Sequence, residues 1–229
     1  MRLFLFDIDG TLISSRGVGR HAIARALRAV DGTHGSLEAY DTRGKTDRRI
    51  VVDVLRAAGL SDQAIQDGLD SCFAAYVREL ETLIGNGECV VTMPGMAEVV
   101  RALSDREDAL VGLLTGNIAP GAALKLGPTG LWPLFRVGAF GSDDMDRRRL
   151  PAVARARAHA LLGRPLAFED LTIIGDTPHD VDCARTCGAT AVAVATGQYP
   201  RAELARHRPD LLFDDFADAP TVLAALTRC

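Results

Sequence analysis

The chain has no surplus of basic residues. Lysine and arginine number 26 against 30 aspartates and glutamates, a formal net charge of −4. That balance gives no electrostatic reason to expect nucleic acid as a partner. Long hydrophobic runs are missing as well. The longest apolar stretches are strand-sized, which excludes a membrane-spanning helix and with it a membrane partner. The N-terminus runs straight into a strand pattern, leaving no room for a cleaved signal. Cysteines are few and scattered, and their number, five, is odd. This usage fits reduced thiols in a cytoplasmic protein. Cys183 and Cys187 stand at helical i, i+4 spacing, but no second pair matches them, so they read as small buried residues. Aromatic residues are only 5% of the chain. No internal repeat and no low-complexity tract is present. What remains is an ordinary globular composition, 48% hydrophobic and 24% charged over 229 residues. That length suits one large domain, or a core with a smaller companion.

Short apolar runs alternate with helical patterns. Strands are expected at 3–7, 110–115, 137–140, 171–175, 190–194 and 210–213. Helices are expected near 95–106, 118–127, 150–163, 178–187 and 217–227. This order predicts an α/β fold, a Rossmann-like parallel sheet core with helices on both faces. In such sheets the reactive groups gather beyond the carboxyl ends of the strands. Residues from about 15 to 90 break the rhythm. They show only helical periodicity, at Val18 to Val30, Asp47 to Ala58 and Ser61 to Ile84, bounded on the return by Gly85-Asn86-Gly87 and Met93-Pro94-Gly95. The expected organisation is a core of residues 1–14 and 92–229, with an inserted all-helical cap domain of residues 15–91. Because the insertion follows the first strand, it should lie over that strand's end.

The first strand ends in Phe6-Asp7-Ile8-Asp9-Gly10-Thr11-Leu12. If the chain stays extended through Asp9, period-2 geometry puts both carboxylates on one side. Two acids in one small site repel unless a cation or a proton intervenes. The pair suits a divalent metal together with a carboxylate nucleophile and a carboxyl acid/base. Further strand ends supply the complement. Thr115-Gly116-Asn117 offers a hydroxyl and an approachable backbone N–H for phosphoryl oxygens. Asp176, in Gly175-Asp176-Thr177-Pro178-His179-Asp180, can meet Asp7 at a hard cation, and Asp180 can order water or a basic residue there. A transferring phosphoryl group also needs positive charge, and at least one arginine of Arg147-Arg148-Arg149 should face it.

The set resembles the haloacid dehalogenase-like hydrolases, specifically the phosphatase branch with a helical cap inserted after the first motif. Asp7 to Leu12, Leu114 to Asn117, a basic motif within Arg147 to Pro151, and Ile174 to Asp180 match the family's four motifs in order. Gly44-Lys45-Thr46-Asp47 and Met93-Pro94-Gly95 fit as smaller marks. The resemblance implies that Asp7 attacks phosphorus and forms a phosphoaspartate. Asp9 protonates the leaving alkoxide and then activates water. Mg²⁺ is held by Asp7, the Asp9 carbonyl and Asp176, with Asp180 in support. Thr115, Gly116 and Asn117 form the phosphate-binding segment. The third motif departs from the family's usual lysine followed by proline. Arg147 is the first candidate by its place after Asp146. Arg149 is favoured by counting back from Leu162-Gly163, and Lys125 is a third candidate if its side chain reaches back. Lys45 in the cap reads either as a surface lysine or as a specificity residue. The implied substrate is a small phosphorylated metabolite. A phosphosugar mutase and a non-catalytic binding protein on the same fold are the alternatives, and either a monomer or a homodimer is compatible.

Overall fold

The computed structural model describes residues 1–228. In chain order the elements are β1 (Arg2–Phe6), β2 (Ile13–Ser14), α1 (Val18–Asp31), α2 (Asp47–Ala57), α3 (Asp62–Ile84), β3 (Val91–Thr92), α4 (Met96–Ser104), β4 (Ala109–Leu114), α5 (Ala119–Leu126), β5 (Val137–Ala139), α6 (Leu150–Leu162), β6 (Leu171–Gly175), α7 (Pro178–Cys187), β7 (Thr190–Val194), α8 (Arg201–Arg206), β8 (Leu211–Phe213) and α9 (Ala219–Arg228). Six strands form one sheet in the order β5-β4-β1-β6-β7-β8. Every pairing in it is parallel.

The strands are apolar on both faces because helices cover both. In β1, Phe4 and Phe6 enter one apolar cluster, with α4 and α9, while Leu3 and Leu5 enter the other, with α6 and α7. Cys183 is buried in that second cluster, and Cys187 packs beside it. β1 is central, flanked by β4 and β6. The loops leaving these three strands therefore share one end of the sheet.

Helices α1, α2 and α3 pack around a third apolar cluster of their own, which includes Ile23, Leu27, Leu55, Leu69 and Tyr76. Thr46 and Ser61 start α2 and α3 by accepting the N–H groups of Arg49 and Ala64, as N-caps do. No helix among the described residues is long and apolar enough to cross a membrane.

Three local features differ from expectation. The chain does not stay extended through Asp9. β1 stops at Phe6, and the Ile8 carbonyl accepts the N–H groups of Leu12 and Ile13. Gly10, at φ 85°, supplies the left-handed residue this turn needs. Next, β2 and β3 pair as a small antiparallel ribbon at the junction of sheet and helical unit. Finally, α8 occupies a segment that carries no expected helix.

Candidate active site

The loops after β1, β4 and β6 meet at a cavity of about 810 Å³. Asp7, Asp9, Thr115, Gly116, Asn117, Lys125, Arg147 and Asp176 line its sheet side, and Tyr40, Arg43 and Lys45 line the side facing the helical unit. Carboxylate oxygens of Asp7, Asp176 and Asp180 all lie within 4.8 Å of one another. Each of the three residues is buried.

One cation answers these three acids. Arg147 Nη2 stands 2.6 Å from Asp180 Oδ1 and 3.1 Å from Asp7 Oδ1. It also donates to the Leu114 carbonyl, while Nη1 donates to the Gly44 carbonyl. Asp180 is fully engaged, because its Oδ2 accepts both the N–H and the hydroxyl of Thr177. Asp176 takes one hydrogen bond, from the Thr11 hydroxyl at 2.9 Å. Burial pushes Asp7 up to about 6, Arg147 opposes this, and Asp180 adds to it. Asp176 is raised well above the usual carboxylate range by burial, then by Asp180 and Asp7. This excess of acid is the donor set of a hard divalent cation. The backbone makes room for the Asp176 carboxylate: a Cβ on Gly10 would fall 2.4 Å from its Oδ2, and one on Gly197 only 1.7 Å away. The clustered carboxylate oxygens fit a hard divalent cation such as Mg²⁺.

Asp9 belongs to a second group. Its Oδ2 accepts Lys125 Nζ at 2.6 Å and Asn117 Nδ2 at 2.9 Å, and its Oδ1 accepts the Ser15 hydroxyl at 2.8 Å. Burial works against its charge, but Lys125, Asn117 and Ser15 together hold it below the usual range. Asn117 is fully committed here, since its amide oxygen accepts Lys125 and its amide nitrogen also donates to Thr115 Oγ1. Gly19 on α1 makes room for the lysine, as a Cβ there would lie 2.8 Å from Lys125 Nζ.

Of the three cations left open by the motif, the structure brings two to the cavity. Arg147 and Lys125 are buried, at 7% and 3% exposure. Arg149 points to solvent and pairs with Asp144 at 3.4 Å. Lys45 lines the cavity with its ammonium 3.9 Å from the centre of the Tyr40 ring. His179 packs against Gly44, where a Cβ would fall 2.5 Å from its ring.

Several site residues were not singled out by sequence reasoning. Thr11 lies within the first motif and Ser15 just after it, and their small hydroxyls close to two acids were a usable signal. Gly197 follows β7 and carried none. Asp47 was visible within Gly44-Lys45-Thr46-Asp47, but its partner was not: Oδ2 accepts the Ile118 N–H at 2.9 Å. Burial pushes Asp47 up to about 6, against the pull of Lys125.

Known proteins resemble this chain in sequence and fold. Residues 148–219 match a family model described as "HAD-hyrolase-like". A phosphoglycolate phosphatase from Synechococcus elongatus is 30% identical over 240 residues, covering 100% of both chains. Another, from Pseudomonas savastanoi pv. phaseolicola, is 26% identical over 93% of this chain and 76% of its own length. A hydrolase structure from Pseudomonas syringae superposes with a TM-score of 0.73 at 22% identity, covering 98% of this chain and 99% of that one. The chain belongs to the haloacid dehalogenase-like hydrolases, within their phosphatase branch.

Proposed function

We propose that this phosphatase is Mg²⁺-dependent and hydrolyses a small phosphorylated metabolite through a phosphoaspartate on Asp7. The observation that carries the reading is the meeting of Asp7, Asp176 and Asp180 around a single arginine, with a second acid, Asp9, held apart on its own lysine. Asp7, the Asp9 carbonyl and Asp176 would hold Mg²⁺, with Asp180 supporting them. The ion's chemistry is to offset the negative charge of the acids and the phosphoryl group. Arg147 faces the same group and spreads positive charge toward the oxygens of the transferring phosphoryl. Thr115 and Gly116 present the segment that cradles it.

Asp9 moves the proton. Held ionised by Lys125, it is ready to take a proton from the water that opens the acyl phosphate. A dianionic phosphoryl group arriving beside it raises its pKa, and this lets it protonate the leaving alkoxide in the first half-reaction. Asp9→Asn is therefore expected to lower kcat by about 10²–10⁴-fold while metal binding persists. Steady-state phosphate release checks this, and undiminished turnover would remove Asp9 from the mechanism.

Residues 15–91 are proposed as the cap, which closes over the substrate, excludes bulk water and contributes Lys45 to specificity. Phosphoglycolate, named for the relatives, is the first substrate to try.

The test of the whole reading is metal dependence. Chelation should abolish hydrolysis of phosphoglycolate or 4-nitrophenyl phosphate, and added Mg²⁺ should restore it. Full turnover by metal-free protein would defeat the proposal. The ion must also displace the proton that burial favours on Asp7. In the metal-free protein the raised Asp7 pKa adds stability below the unfolded value, 3.8, and this is lost as pH rises through about 6. Mg²⁺ binding follows the opposite course and strengthens as pH rises through that window. The gain in Tm produced by a fixed Mg²⁺ concentration should shrink between pH 7.5 and pH 5. A gain that stays constant would show that Asp7 does not hold the ion.

A further inference from the structure

Asp47 opens α2 in the helical unit, yet both of its hydrogen-bonding ends reach the loop after β4. Its backbone N–H donates to the Gly116 carbonyl at 2.7 Å, and its Oδ2 accepts the Ile118 N–H at 2.9 Å. Ile118 is the N-cap of α5, which has no capping side chain of its own. The carboxylate at this helix start, where negative charge is favoured, comes from 71 residues away. Neighbouring contacts join the same seam. The Thr46 hydroxyl donates to the Met145 carbonyl at 2.9 Å, and Arg147 donates to the Gly44 carbonyl at 3.3 Å. The backbones pack so closely that a Cβ on Gly116 would lie 2.1 Å from the Lys45 carbonyl oxygen, and one on Gly141 2.0 Å from the Gly116 oxygen. Residues 44–47 thus form the back wall of the phosphate-binding segment. The helix that Asp47 caps also carries Lys125, the partner of Asp9.

We propose that Asp47 is a positioning residue: by accepting the Ile118 N–H across the seam, it holds residues 115–117 and Lys125 in place, so the site is complete only when the cap is seated. This rests on the phosphatase reading above. A buried hydrogen bond from the helical unit to the loop after β4 ties cap seating to the geometry of the reacting groups. A misplacement of about 1 Å at such a site can reduce turnover by about 10²-fold.

The test uses the full chain, Mg²⁺ and 4-nitrophenyl phosphate, comparing Asp47→Leu and Asp47→Asn with wild type. Leucine is similar in size and accepts no hydrogen bond. It is expected to lower kcat by about 10- to 100-fold while KM changes by less than about threefold. Asparagine keeps an acceptor and should hold kcat within about threefold of wild type. A folded Leu variant with normal kcat, or one altered only in KM, would overturn the proposal. So would an Asn variant as impaired as the Leu variant. If the Leu variant does not fold, Asp47→Ala is judged by the same criteria, and if neither folds the Asn variant decides alone. Asp7→Asn is run alongside. Activity retained there defeats the phosphatase chemistry itself, whereas an inactive Asp7→Asn beside a normal Asp47→Leu defeats only the role of Asp47.

Discussion

Asp7→Asn is expected to abolish catalysis, with kcat reduced by at least about 10⁴-fold in a protein that still folds. An amide is a poor nucleophile toward phosphorus and cannot form the acyl phosphate. The fold should tolerate the change, because Asn fills the same volume and one carboxylate leaves a crowded acidic site. Arg147 keeps Asp180 as its partner at 2.6 Å. The measurement is phosphate release at saturating substrate and Mg²⁺, with circular dichroism and Tm as controls for folding. Normal turnover by the folded variant would mean that another group attacks phosphorus. A merely several-fold loss would point instead to direct attack by water, with Asp7 serving only as a charge.

Arg147→Ala should produce the largest stability loss of any substitution at the site. Arg147 is buried between Asp7 and Asp180, and burial alone would weaken its charge, but those two carboxylates keep it firmly protonated. Removing it strands buried carboxylates without a counter-charge. Breaking a buried pair in this way costs about 3–5 kcal/mol. Urea denaturation of the metal-free protein reads this directly as a lower midpoint. Saturating Mg²⁺ should recover part of the loss by supplying the missing positive charge. Arg147→Lys is expected to fall between the two, since one ammonium cannot serve Asp7, Asp180, Leu114 and Gly44 together. A loss under about 1 kcal/mol would show that Arg147 is not what neutralises these acids.

Much of this architecture was legible in the sequence because its signals are local. The β1, β4 and β6 runs are apolar on both faces, and Asp7, Thr115 and Asp176 directly follow their last residues. A buried parallel strand followed by a polar loop needs no distant information to be recognised. The triplet Arg147-Arg148-Arg149 was different. The place after Asp146 favoured Arg147 and the count back from Leu162-Gly163 favoured Arg149, and a single 3₁₀ turn sends Arg147 inward and Arg149 toward Asp144. β2 and β3 are two residues each, too short to show a period. The extension assumed through Asp9 failed because Gly10 permits a turn inside the motif. That turn is what separates the two acids into one group around Arg147 and another around Lys125. The partner of Asp47 was unreadable for a further reason. The Ile118 N–H is a main-chain group with no sequence signature.

The central place of β1 bears on how the molecule is made. Leu3 pairs with Leu110 on one side and with Leu171 on the other. Helices α1, α2 and α3 lie between β1 and both partners in the chain, and they can collapse on their own apolar cluster while synthesis continues. β1 must wait for β6, far later in the chain, before its second edge is covered. Pairing so remote in sequence is slow to form. During that interval its apolar face is open to chaperones or to other nascent chains. The ability to react thus arises late in biogenesis, after the helical unit already has its shape.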